Sequence, residues 1–218
     1  MIGVIIPAHN EADLLAACLA AACATRHAPG LRGEPVNIVV VLDGCTDESA
    51  AIVSGFAVTS LHVDARNVGV ARRAGAERLI AQGARWLAFT DADSRVENDW
   101  LVAQLALGVD AVCGSVQVDD WEGAPGQLRK LWRERYRDAD GHRHVHGANL
   151  GVSTQAYLRA GGFPPLPCGE DVALVDLLRV VGASIAWSAA PRVRTSARMQ
   201  ARVRGGFADT LARWAQEE

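Results

Sequence analysis

The chain has 218 residues, half of them hydrophobic and 22% charged, with a formal net charge of -3. That length and composition suit one packed domain and exclude a disordered chain, and the slight acidity argues against bulk nucleic-acid binding. Five cysteines are scattered without a C-x-x-C pair, and no apolar run approaches 18 residues, so reduced thiols in a cytoplasmic protein are expected.

Residues 2–6 are continuously apolar, which predicts a strand buried on both faces and stopped by Pro7. Asn10 is expected to cap a helix with Glu11 and Asp13 in its first turn, running to about Cys23. Residues 26–35 read as a loop, and 36–42 as a second buried strand ending at Asp43-Gly44. Thr46, Asp47 and Glu48 open a short helix that fades by Gly55, and 58–63 form a third strand. Asn67 starts a helix closed by Gly83, and the strand 86–90 follows. A helix over 100–107, a strand over 111–118 and a charged helix over 127–138 come next. Beyond a polar loop, 147–152 predicts a strand, with Ser153 capping a helix that ends at Gly161-Gly162. Glu170-Asp171 opens an apolar helix to Val181, 184–187 is a last strand, and a closing helix starts near Phe207.

Strict alternation of strand and helix through residue 90 implies right-handed crossovers and a mostly parallel α/β sheet with helices on both faces. Ligands of such sheets bind beyond the carboxyl ends of the strands. Pro7 to Glu11, Asp43 to Asp47, and Asp91 with Asp93 all fall at that edge. In extended chain Asp91 and Asp93 would point the same way, and two such close carboxylates call for a hard divalent cation. The competing reading makes them a turn and a helix cap. Three polar clusters at one sheet edge favour the ligand site.

The ordered segments VIIPAHNE (4–11), VLDGCTD (41–47), NVGVARRAG (67–75), TDAD (90–93), HGANLGV (146–152) and GGFP…GED (161–171) resemble those of inverting family 2 glycosyltransferases. The resemblance covers most of the first 180 residues. It departs at Leu42, where the family often carries an acid, and in the short stretch after Asp171 without membrane helices, which makes a processive polymer synthase unexpected. It implies a three-layer α/β/α, mostly parallel nucleotide-binding sheet of the glycosyltransferase type A fold with a small acceptor-side annex. The expected divisions of the single domain are a nucleotide-sugar-binding half (1–118), an acceptor and catalytic-base half (119–190), and a basic tail with the closing helix (191–218).

The resemblance further implies that Pro7, Ala8, Asn10 and Glu11 line the nucleoside pocket, that Asp43 meets the base, and that Arg72 lies near the nucleotide. Asp93 would hold Mg²⁺ or Mn²⁺ on the diphosphate, with Asp91 supporting the metal or the ribose. Asp171 would deprotonate the acceptor hydroxyl, with Glu170 beside it on the acceptor side. A UDP-sugar is the expected donor on family weight over GDP. Retaining transferases of the same fold, nucleotidyltransferases and non-catalytic sugar-nucleotide-binding modules are the alternatives. A dehydrogenase lacks its G-x-G-x-x-G after the first strand.

Four features stay open on sequence. Gly147, Ala148 and Asn149 would let a sugar approach, or form a plain turn. His144 and His146 have a spacing compatible with a metal ligand, but carboxylates and water suffice for Mg²⁺, so we take them as loop residues. Trp121 and Trp132 stack on acceptor sugars or pack in the core. Five arginines over 192–204, followed by Gly205-Gly206, form a lid on the diphosphate, a contact for an anionic or membrane-attached acceptor, or a solvated surface.

Overall fold

A computed structural model describes residues 1–121 and 126–196. The predicted closing helix and most of the arginine-rich segment lie outside these residues.

The first strand, β1 (Ile2–Ala8), is buried at every position and is an interior strand, third in order, of a seven-stranded sheet. Its neighbours are β2 (Val36–Asp43) on one side and β4 (Trp86–Phe89) on the other, both parallel to it. Beyond β2 lies β3 (Thr59–Val63), also parallel. Beyond β4 come β8 (Leu150–Ser153), β6 (Ala111–Gly114) and β9 (Ile185–Ser188). Only β8 runs against its neighbours, antiparallel to both β4 and β6. Pro7 does not stop β1. It pairs with Val41, two residues past the last β1–β4 pair at Ile5, where one side of the strand is already free and a missing N–H costs no ladder bond.

Alternate residues of the strands feed two cores. Ile2, Val4 and Ile6 of β1 pack with Leu15 and Leu19 of α1 (Ala12–Ala24) and with Trp100 and Leu101 of α4 (Trp100–Ala106). Val53 of the short α2 (Ser49–Ser54) joins that face. Ile5, Val39 and Val41 pack on the other face against α3 (Val68–Ala81), which shares that core with α6 (Thr154–Ala160) and α7 (Glu170–Val180). The three-layer α/β/α arrangement follows from this two-sided burial.

The expected strand over 111–118 is two strands in two sheets. β6 ends at Gly114, and β7 (Gln117–Asp120) joins a separate three-stranded sheet with β5 (Ser94–Val96) and β10 (Val193–Ser196). The break comes at Ser115, whose carbonyl accepts from the Asn149 side chain instead of a strand. β10 shows that the segment after residue 191 begins inside the fold, antiparallel to β5 and parallel to β7. α5 (Gly126–Arg135) packs its Leu128 and Trp132 into the first core. Among the described residues, no helix is long and apolar enough to cross a membrane.

Candidate active site

The carboxyl ends of β1 and β2 are tied together by side chains. Asn10 does not cap α1. Its backbone is left-handed (φ 54°), and its Oδ1 accepts from Thr46 N–H at 2.7 Å. Asp47 supplies the cap from a distance, accepting from Ala12 N–H at 2.9 Å with one oxygen and from Ser49 N–H at 3.0 Å with the other. Burial alone would raise the Asp47 carboxyl, but the Ser49 and Ala12 donors outweigh it and hold it below the usual range. Pro7 and Ala8 close the strand behind this joint, and Glu11 N–H donates to the buried Ser49 Oγ at 3.0 Å.

Asp43 at the end of β2 is 4% exposed. Its carboxylate accepts from three consecutive backbone N–H groups, those of Ala65, Arg66 and Asn67, each at 2.8 Å. It therefore folds the loop before α3 onto the sheet edge. Asn67 then caps α3 by accepting from Val70 N–H at 3.0 Å.

The Asp91–Asp93 pair is not in extended chain. Phe89 is the last residue of β4, and Ser94 N–H returns to the Asp91 carbonyl at 3.1 Å, closing a turn over Asp91-Ala92-Asp93. The same-side rule for strands thus does not apply, and the two carboxylates have different neighbours. Asp91 meets Arg72 of α3 at 2.5 Å. Asp93 accepts from Ser94 Oγ at 3.1 Å and lines a cavity of about 140 Å³ with Leu14 and Ala17 of α1 and Thr195 of β10. Both lie within electrostatic reach of Cys18. Burial pushes the Cys18 thiol up, and Asp93, Asp91 and then Glu11 push it further. Asp91 and Asp93 are hard oxygen donors of the kind that Mg²⁺ or Mn²⁺ takes, but Arg72 pairs with Asp91, Arg95 and Arg194 also line the Asp93 cavity, and among the described residues no three His, Cys, Asp or Glu side chains are gathered to hold an ion alone.

Arg72 is the centre that sequence reasoning placed only loosely. It is 3% exposed, with one guanidinium nitrogen on Asp91 and another on Glu170 Oε1. The Phe163 ring lies 5.7 Å from its guanidinium carbon. Burial works against its charge, but Asp91, Glu170 and Asp171 together outweigh it and hold the proton more firmly than usual. Glu170 is 5% exposed, and burial raises its carboxyl despite the opposing pull of Arg72. With its ion pair buried, Glu170 does not face an acceptor here.

Asp171 lies in the first turn of α7 and is half-buried. One oxygen accepts from Gly147 N–H at 2.9 Å and the other from its neighbour Val172 N–H at 2.8 Å. Gly147 belongs to a 3₁₀ turn (Gly147–Asn149) leading into β8. A Cβ at Gly147 would overlap the Arg72 guanidinium, so the close approach requires glycine.

Asn149 is not presented to a ligand, and its acceptor-side assignment is corrected. It is fully buried, donating to the carbonyls of Ser115 (2.7 Å) and Pro191 (2.9 Å) and accepting from Trp100 Nε1 (2.9 Å). These bonds join four segments, and Gly114 leaves the space that the amide fills. Ala148 beside it is 6% exposed.

The histidines form a stack. His142, His144 and His146 alternate, with ring centroids 5.4 and 5.9 Å apart, and Tyr136 lies 4.2 Å from the His144 ring. The Tyr136 hydroxyl accepts from Val116 N–H at 2.8 Å and meets His146 Nε2 at 3.0 Å. Burial, then His144 and His142, pull the His146 ring down to about 3, so it is neutral while it bonds the Tyr136 hydroxyl.

The family model described as Glycosyl transferase family 2 matches residues 3–161. The chain belongs to glycosyl transferase family 2. No curated protein matches it. Among solved structures it is similar to S. aureus TarS 1-349 in complex with UDP-GlcNAc, with 15% identity, TM-score 0.71, and coverage of 98% of this chain and 64% of that one. It is also similar to the mannosyltransferase PcManGT from Pyrobaculum calidifontis in complex with GDP-Man and Mn²⁺, with 19% identity, TM-score 0.70, and coverage of 99% and 61%. The chain thus spans less than two thirds of the length of these solved chains, and at such identities the likeness establishes the fold. That fold is the glycosyltransferase type A fold.

Proposed function

We propose that the protein transfers a sugar from a nucleoside diphosphate donor to an acceptor hydroxyl with inversion at the anomeric carbon. The observation that carries the proposal is a cluster that brings the donor side beside the acceptor side. Arg72 holds Asp91 with one nitrogen and Glu170 with another, and Asp171, next to Glu170, is oriented by Gly147 N–H. A carboxylate fixed by two backbone donors keeps lone pairs for a proton and cannot swing away.

In this proposal Asp171 takes the proton of the acceptor hydroxyl as its oxygen attacks the anomeric carbon. The bond from that carbon to the diphosphate oxygen breaks, and the nucleoside diphosphate leaves with the electron pair. Pro7, Ala8, Asn10 and Glu11 form the wall for the nucleoside. Asp43 acts on the base through the loop it folds and through its own position at the edge. Asp93 and Asp91 would hold the divalent ion, which when bound neutralises charge on the leaving diphosphate. Arg72 keeps Asp91 in place for that task. Donors with UDP and with GDP are both compatible, since TarS and PcManGT were solved with UDP-GlcNAc and GDP-Man.

The test is thermal shift with UDP, GDP and NAD, with and without Mn²⁺, followed by calorimetry on two variants. A nucleoside diphosphate with Mn²⁺ should raise the melting temperature, and chelator should remove most of the rise. Asp93→Asn should weaken metal-dependent nucleotide binding. Asp171→Asn should leave it unchanged while turnover falls roughly 10²- to 10⁴-fold. Stabilisation by NAD alone would refute the transferase assignment, and a product of retained anomeric configuration by proton NMR would refute the single displacement.

A further inference from the structure

A second cavity, of about 380 Å³, lies between β7 and α5, and of the residues described above Tyr136 lines it. Its volume falls within the range of small-molecule pockets, at the size of one or two sugar rings. One face of α5 forms its side: Arg129, Trp132, Arg133 and Tyr136 fall at i, i+3, i+4 and i+7 and all line it. Trp121 also lines it, edge-on to Trp132 at 6.3 Å, with its indole N–H held on the Val118 carbonyl at 3.0 Å.

The aromatic groups are fixed before any ligand arrives. Trp132 stacks on Tyr136 with centroids 3.9 Å apart, so the wall is a rigid platform rather than loose side chains. Arg129 and Arg133 are exposed, one helical turn apart, and set two guanidinium groups along the same wall. The acid of the lining, Asp138, already accepts from Ser115 Oγ at 2.5 Å and from Gln117 Nε2 at 3.2 Å. The cavity therefore combines flat apolar surface with two cations and one acid engaged with neutral donors. Rings with an apolar face and an anionic substituent match that combination.

The cavity is also wired to the proposed base. Tyr136 bonds His146, the next residue is Gly147, and Gly147 N–H holds Asp171. We propose that this cavity is the acceptor subsite, and that it takes a sugar ring carrying a carboxylate or phosphate. The assignment rests on the transferase function proposed above and adds the class of acceptor. The ring lies against Trp121 and the edges of the Trp132–Tyr136 stack, and its anionic group meets Arg129 and Arg133.

The experiment follows the tryptophan indole N–H signals by heteronuclear NMR, with Trp121→Phe identifying one of them. Three probes are titrated: methyl glucuronide for a carboxylate, glucose 6-phosphate for a phosphate, and methyl glucoside as the neutral ring. One or both anionic probes should move the Trp121 and Trp132 signals and bind at least fivefold tighter than methyl glucoside, and the better of the two names the anion. Arg129→Gln/Arg133→Gln should remove that advantage while leaving the indole spectrum and the response to nucleotide with Mn²⁺ intact. Equal binding of charged and neutral rings, shifts confined to other tryptophans, or an unchanged preference in the double variant would each overturn the assignment. If nucleotide binds and no anionic sugar does, the cavity assignment fails alone. If anionic sugars bind at the cavity and no nucleotide binds, the transferase proposal fails and the subsite loses its role as an acceptor site, although its ring-and-anion chemistry stands.

Discussion

Removing the charge of Arg72 with a side chain of similar length, Arg72→Met, isolates what holds the two halves of the site together. The Glu170 side chain is 6% exposed and that of Asp91 36% exposed. Water can solvate Asp91 once its partner is gone, so that pair contributes little by itself. Glu170 has no such relief, and stranding a buried charge costs about 3 to 5 kcal/mol. We expect about 3 kcal/mol, near the lower end, because a stranded Glu170 can take up a proton. Against a total stability of about 5–15 kcal/mol, that is a large loss. Glu170→Gln should cost less, about 1–2 kcal/mol, since the amide oxygen still accepts from Arg72.

The sign with pH follows from the direction of the Glu170 shift. Burial raises its folded value, and without Arg72 nothing pulls it back. A carboxyl raised on folding contributes stability below its unfolded pKa and loses it as pH rises through the folded value. Arg72→Met should therefore be less destabilised at pH 5.5 than at pH 8. Urea unfolding of the wild type, both single variants and the double variant at the two pH values provides the cycle. The double variant should be more stable than the sum of single losses by at least 1 kcal/mol, the size of coupling between residues in contact (~0.5–3 kcal/mol). Additivity within about 0.5 kcal/mol, with the same Arg72→Met cost at both pH values, would refute a buried Arg72–Glu170 pair.

The His146 ring, pulled down to about 3, favours the folded state only while neutral. Its contribution is complete above the unfolded pKa of about 6.5 and is lost as pH falls toward 3; between pH 6.5 and 5 the loss should be about 1–2 kcal/mol. His146→Gln, whose amide can still bond the Tyr136 hydroxyl, should flatten that slope in denaturant titrations, and an unaltered slope would contradict it. Asn149→Ala should cost about 3 kcal/mol, since it strands the Trp100 indole N–H and two carbonyls at once. A loss below about 1 kcal/mol in the same assay would show that the amide does not carry this joint.

Much of the first half was legible because its signals are local. Apolar runs mark β1, β2 and β4, and the Asn67 and Ser153 side chains cap the helices they precede. Asn10 misled because a polar residue before a helix reads as its cap, whereas here the cap is Asp47, 35 positions away from the N–H it receives. Asp91-Ala92-Asp93 misled because the strand pattern ends without a marker, and alternation was carried two residues too far into a turn. β5 and β10 are three and four residues long, too short for any period to declare itself. Arg72 was the hardest to place. On a helix an arginine ordinarily faces water, and nothing nearby in sequence reveals the carboxylates that bury it, since Glu170 is 98 positions away.

The reversed strand explains why those distant residues meet. In a wholly parallel sheet the carboxyl edge collects only residues that follow strands. Because β8 runs antiparallel to β4, with Leu150 opposite Phe89, the residues before β8 lie beside the residues after β4. Gly147 thereby reaches the edge where Asp91 turns away, and its missing side chain leaves room for Arg72 rising from α3. After β8, α6 and the loop beyond it bring α7 back on the α3 side, so Glu170 and Asp171 arrive at the same edge from the opposite direction. The Asp91 turn, Arg72 and Asp171 are brought together without any two of them being neighbours in sequence. Periodicity shows where β8 is but not which way it runs, and on that direction the proximity of Asp91, Arg72 and Asp171 depends.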